Sequence, residues 1–80
     1  MNKLEPRIKI VGGIANLAND VNKSLTRKEL AAILNMFGEK TAQGDEYENP
    51  TKLIKRAIDH YANIEDLTTA DNIVTTYKNT

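Results

Sequence analysis

Twice in this chain a leucine precedes a threonine that is followed three residues later by an acid: Leu25-Thr26-Arg27-Lys28-Glu29 and Leu67-Thr68-Thr69-Ala70-Asp71. A threonine in that position accepts a free backbone N–H from the first turn of a helix. The acid reaches back to the threonine's own N–H, and the leucine is placed for a hydrophobic staple. Each signal therefore predicts a helix start. A proline-led segment precedes each one, at Pro6 and at Asn49-Pro50, and proline suits the first turn of a helix. The chain reads as four helical starts.

The first helix is expected from Pro6 to Val21, with Ile10, Val11, Ile14, Leu17, Ala18 and Val21 on one face. Gly12-Gly13 is its weak point, because an interior glycine costs ~1 kcal/mol relative to alanine. The second starts at the Thr26 cap, carries Leu30, Ile33, Leu34 and Phe37, and stops at Gly38. A polar connection, Glu39 to Asn49, follows. The third starts at Asn49-Pro50, with Leu53, Ile54, Ala57, Ile58 and Tyr61 as its apolar face and Asn63 as terminator. The fourth starts at Thr68 and carries Ala70, Ile73, Val74 and Tyr77. The expected core is Ile10, Ile14, Leu17, Val21, Leu30, Ile33, Leu34, Phe37, Leu53, Ile54, Ile58, Tyr61, Leu67, Ile73, Val74 and Tyr77.

The predicted fold is thus all-α: one small four-helix domain over residues 1–80, built as two packed helical hairpins. The alternative is α+β. Ile73-Val74-Thr75-Thr76-Tyr77 is rich in β-branched residues, and residues 7–11 have Ile8 and Ile10 on one side, so residues 7–11 and 73–77 could pair as two strands.

Composition limits the chemistry. There is no cysteine and one histidine, His60, and Ser24 is the only serine, so the usual nucleophile–base pairs have almost nothing to draw on. The same inventory removes disulfides, thiolate zinc sites and His-rich metal sites. His60 falls at the edge of the third helix's polar face, which reads as a solvated histidine. Gly12-Gly13 lacks the further glycine and the Gly-Lys-Ser/Thr ending of phosphate-cradling loops, so helix packing explains it better. Asp45-Glu46-Tyr47-Glu48-Asn49 lacks the alternating oxygen ligands of a calcium loop. No enzyme activity, cofactor or metal is expected. No apolar run is long enough to span a membrane, and Met1–Lys9 is not followed by a signal-peptide core, which predicts a cytoplasmic protein.

The net charge is zero. Nucleic-acid-binding domains usually carry a basic excess, so nucleic acid is possible as a partner and not favoured. The favoured reading is a non-catalytic accessory or regulatory protein that acts through a protein partner. Its expected contact surface is Asp45, Glu46, Tyr47 and Glu48 with the adjoining Lys52, Lys55 and Arg56, where both charge signs flank an aromatic. The alternative is a DNA-binding helix-turn-helix regulator that uses the third and fourth helices, with Thr69, Asn72, Thr75, Thr76 and Lys78 facing the groove. A reading helix with one basic residue would supply little phosphate affinity. Neither reading fixes an oligomeric state.

Overall fold

The computed structural model describes residues 4–41 and 43–78. Among them are four helices, α1 (Leu4–Asp20), α2 (Arg27–Met36), α3 (Thr51–Asn63) and α4 (Leu67–Thr76), and two short strands, β1 (Leu25–Thr26) and β2 (Tyr77–Lys78). The all-α four-helix domain is the fold observed. No helix among the described residues is long and apolar enough to cross a membrane.

The helix ends follow from local chemistry. Thr26, with extended backbone, caps α2 through a complete box: Glu29 N donates to its Oγ1 at 3.1 Å and its own N donates to Glu29 Oε1 at 2.9 Å. Three helices close with one hydrogen-bond pattern. After α1, Lys23 N donates to Ala18 O; after α2, Glu39 N to Leu34 O; after α3, Asp66 N to Tyr61 O. These six-to-one bonds need a left-handed residue just before the donor, and Asn22 (φ 55°), Gly38 (φ 77°) and Glu65 (φ 63°) supply it.

Three boundaries of α3 and α4 differ from expectation. Pro50, fully buried, takes the capping position of α3 rather than its first helical position, without a side-chain bond. The helix stops at Asn63 and is closed by a left-handed Glu65, not by a left-handed Asn63. Asp66, and not Thr68, caps α4, since its Oδ1 accepts from Thr69 N at 3.1 Å and its Oδ2 from Thr69 Oγ1 at 2.7 Å. Asp is among the best capping residues, and one placed two positions earlier pre-empts the threonine. Leu67 consequently begins the helix, and no staple holds it, since it is exposed.

The packing has a clear hierarchy. α1 lies against α4 and α3, and α3 against α4, while α2 meets α1 less extensively. The first two helices, expected as a packed hairpin, therefore meet less closely than α3 and α4 do. α2 still drives Leu30 and Leu34, both fully buried, into a core completed by Ile8, Val11, Ala15, Leu53, Ile54, Ala57, Ile73 and Tyr77. Of the expected core, Leu17, Val21, Phe37, Leu67 and Val74 are exposed. Ile10, Ile14, Ile58 and Tyr61 are half-buried against the cluster. On α1 the buried stripe is Ile8, Val11, Ala15 and Ala18; Val11 and Ala18 were on the expected face, but the helix is rotated toward Ile8 and Ala15, leaving Leu17 and Val21 exposed.

A close approach accompanies that rotation. Gly12 is buried in α1, and a Cβ built on it would lie 2.5 Å from Tyr61 Cε2 on α3, whereas one on Gly13 would meet nothing within 4 Å. Polar side chains complete the seam between α1 and α4. Asn16 Nδ2 donates to Thr69 Oγ1 (3.1 Å), Asn72 Nδ2 to Asn16 Oδ1 (2.8 Å) and Thr76 Oγ1 to Ala15 O (3.3 Å). The Tyr77 hydroxyl donates to Val11 O at 2.6 Å. These partners descend α1 as they ascend α4, so the two helices run antiparallel.

The strand alternative is corrected at both ends. Residues 7–11 lie inside α1, and 73–76 finish α4. Ile73 and Thr76 are buried at helical spacing, and that tertiary burial outweighs their β-branched preference. Only Tyr77 and Lys78 are extended, and they pair in parallel with β1 in the register Leu25–Tyr77 and Thr26–Lys78. This short ladder ties the end of α4 to the start of α2.

Candidate functional site

Two devices hold the described residues of the connection between α2 and α3. Thr41 closes a turn onto Asp45, accepting from Asp45 N at its Oγ1 (3.1 Å) while its own N donates to Asp45 O (2.9 Å). Gly44, at φ 86°, makes the reversal. Then Asn35, on α2, grips the backbone of Tyr47 from both sides. Tyr47 N donates to Asn35 Oδ1 at 2.8 Å, and Asn35 Nδ2 donates to Tyr47 O at 3.0 Å. The Tyr47 ring folds back against the core and is half-buried. Arg7, from the first part of α1, donates from Nη1 to the Tyr47 hydroxyl at 3.3 Å, and its Nε lies 3.7 Å from Glu39 Oε1. With its side chain only 14% exposed, Arg7 is a fixed cation at the base of the loop.

Two concavities result. The first, of about 620 Å³, lies between the loop and the start of α3, with Arg7, Tyr47, Glu48, Lys52, Leu53 and Arg56 in its wall. The second, of about 920 Å³, adjoins it, and Lys40, Asp45, Glu46 and Glu48 carry its charges. They share Thr41, Gln43, Glu48 and Asn49 as a common wall.

Six of the seven residues expected at a partner surface thus come together. Tyr47, Glu48, Lys52 and Arg56 are in the first concavity, and Asp45 and Glu46 join Glu48 in the second. Lys55 is exposed on α3 and lines neither. Arg7 was missed, as was Asn35, and nothing local to either residue points to the loop they organise.

The groove-reading set of the alternative fares differently. Thr69 and Thr76, 5% and 2% exposed, point into the seam with α1 and cannot reach a groove. Asn72 is half-buried and bonded to Asn16. Thr75 is exposed, its hydroxyl donating to Asn72 O, and of Lys78 the side chain lies outside the described residues. α3 and α4 are joined by Ile64, Glu65 and Asp66, a helix-turn-helix length. Three of the five groove-reading residues, Thr69, Asn72 and Thr76, are nevertheless used for internal packing.

His60 is half-buried at the edge of α3, with its ring edge-on to Tyr61 at a centroid separation of 5.1 Å. Burial raises the Tyr61 hydroxyl above its usual pKa, and the Asp66 carboxylate adds to this while Lys9 opposes it. Among the described residues no three His, Asp or Glu side chains are grouped so as to hold a metal ion. Comparison with protein-family models, with curated proteins and with solved structures gives no match to this chain.

Proposed function

We propose that this chain is a non-catalytic interaction module, an accessory or regulatory protein that binds a protein partner through the face formed by the 43–49 loop and the first turns of α3. The observation that supports the reading is the anchoring of this face. A loop rich in polar residues would ordinarily be mobile. Here Asn35, Arg7 and Thr41 hold it in one shape, with an aromatic ring and charges of both signs around two concavities. A preorganised surface loses less conformational entropy on binding. The proposed setting is the cytoplasm, with which a cysteine-free chain agrees.

The test is site-specific photo-crosslinking in native extract. A benzophenone side chain at Glu46 or Lys55, both exposed beside the concavities, is expected to capture a discrete partner. The same group at Lys28 or Asp71, exposed on α2 and α4, is expected to capture none. Equal capture at all four positions, or none at Glu46 and Lys55, would overturn the proposal. Groove reading by α4 is the weaker reading: the α3–α4 turn has a helix-turn-helix length, but Thr69, Asn72 and Thr76 are committed to α1.

A further inference from the structure

We infer that the two concavities work as a pair and take an extended polypeptide segment in which an acidic side chain stands close in sequence to a basic one. The acid enters the cleft of Arg7, Lys52 and Arg56, and the base lies over Asp45, Glu46 and Glu48. This rests on the interaction reading above and adds the chemistry of the partner.

The argument is charge complementarity on a fixed scaffold. The first concavity carries three cations against one acid, Glu48. Its cations differ in mobility. Arg7 is pinned by Tyr47 and Glu39, whereas Lys52 and Arg56, four residues apart on one side of α3, reach out of an exposed face. A carboxylate entering here meets one preplaced guanidinium and two side chains free to close on it. The second concavity reverses the balance, with three acids against Lys40. Because the two share a wall, the sign of the surface changes from one cleft to the next.

An extended chain rises ~3.3 Å per residue and sends alternate side chains to the same side, so an acid and a base two residues apart lie ~6.6 Å apart facing one surface. Two clefts of opposite sign that share a wall suit such a pair. A nucleic-acid backbone fits less well. Its uniform negative charge would cross the acids at 45, 46 and 48 on leaving the cationic cleft, and like charges brought together at an interface disfavour binding. Tyr47 and Leu53 add apolar contact at the floor of the first concavity.

The experiment is selection of random heptapeptides displayed on phage against the immobilised full chain. Peptides with Asp or Glu two residues from Lys or Arg are expected to be enriched about tenfold or more over the library. Both Lys52 and Arg56 are exposed, so the K52E/R56E double variant should keep its fold, as checked by circular dichroism, and lose that enrichment. Enrichment without the charge pattern, or equal enrichment on the double variant, would overturn the inference. So would tighter binding of a single-stranded DNA oligonucleotide than of the best peptide. Crosslinking at Glu46 and Lys55 separates the two levels. If it succeeds while the peptides lack the pattern, the interaction face stands and its charge chemistry is refuted. If it fails, both fall.

Discussion

Gly12 and Gly13 are adjacent, both inside α1, yet alanine should act oppositely at the two positions. At Gly13 the new methyl meets nothing within 4 Å, so only the backbone changes. Alanine in a helix interior is worth ~1 kcal/mol over glycine, largely because the unfolded chain loses freedom. At Gly12 the same gain is opposed by a clash. The Cβ would lie 2.5 Å from Tyr61 Cε2 and Oη, against ordinary contacts of ~3.5–4.0 Å between carbons, so the ring must withdraw by more than an ångström. Overpacking of this kind costs ~1–3 kcal/mol. Tyr61 is half-buried and its clashing atoms are at the far end of the side chain, which favours the lower part of that range.

Urea denaturation should therefore place Gly13→Ala above the parent by ~1 kcal/mol and Gly12→Ala at or below it, a gap of ~1–3 kcal/mol between neighbouring sites. In thermal melts of a domain this size, each kcal/mol shifts the midpoint by ~4–8 °C. The decisive comparison uses Tyr61→Ala as background. With the ring removed, Gly12→Ala should become stabilising by about the same ~1 kcal/mol as Gly13→Ala. If Gly12→Ala already equals Gly13→Ala in the parent, α1 does not approach α3 closely at Gly12. If it stays destabilising without Tyr61, the clash lies elsewhere.

Glu65 holds a left-handed backbone that costs a non-glycine residue ~1–2 kcal/mol, so Glu65→Gly should gain about 0.5–1 kcal/mol after its own unfolded-state entropy, read from the urea midpoint. Asp66→Ala removes the α4 cap and strands the Thr69 hydroxyl proton, which should cost ~1–3 kcal/mol in the same assay; a loss under half a kcal/mol would mean that α4 is capped otherwise. Tyr77→Phe should cost ~1 kcal/mol through the lost bond to Val11 O. Burial raises the Tyr77 hydroxyl well above its usual pKa of 10.0. The stability tied to its protonated form is full below that value and lost as pH rises toward the folded pKa, because the unfolded chain releases the proton first. The parent should thus lose stability more steeply above pH ~10 than Tyr77→Phe does.

Much of the helix framework was legible because the signals are local. The Thr26–Glu29 box and the stop at Gly38 are complete within a few residues, and both form as read. The phase of α1 was not legible, for a physical reason. Its sequence carries two apolar stripes at helical spacing, Ile10-Ile14-Leu17-Val21 and Ile8-Val11-Ala15-Ala18. Hydropathy favours the first, since its side chains are larger. The second is buried, because alanine and glycine let α1 come close to α3 and α4, and close contact there outweighs the bulk of Leu17, left 65% exposed. A periodic pattern establishes that a helix exists; which side it turns inward depends on the partner's shape, and small residues carry that information silently.

The same distinction explains what could be read of the site. Asp45 through Arg56 are near one another in the chain, so a loop followed by a helix start had to bring most of them together. Arg7 is forty residues from Tyr47, and its contact depends on where α1 lies. Had α1 presented Ile10, Ile14, Leu17 and Val21 to the core, Arg7 would have rotated with it and the first concavity would have lost its fixed cation. The rotation of α1, with Gly12 close against Tyr61, and the charge placed beneath the loop are therefore coupled. It follows that Gly12→Ala should disturb the amides of Arg7 and Tyr47 in an NMR spectrum, although neither touches Gly12, while Gly13→Ala leaves them in place.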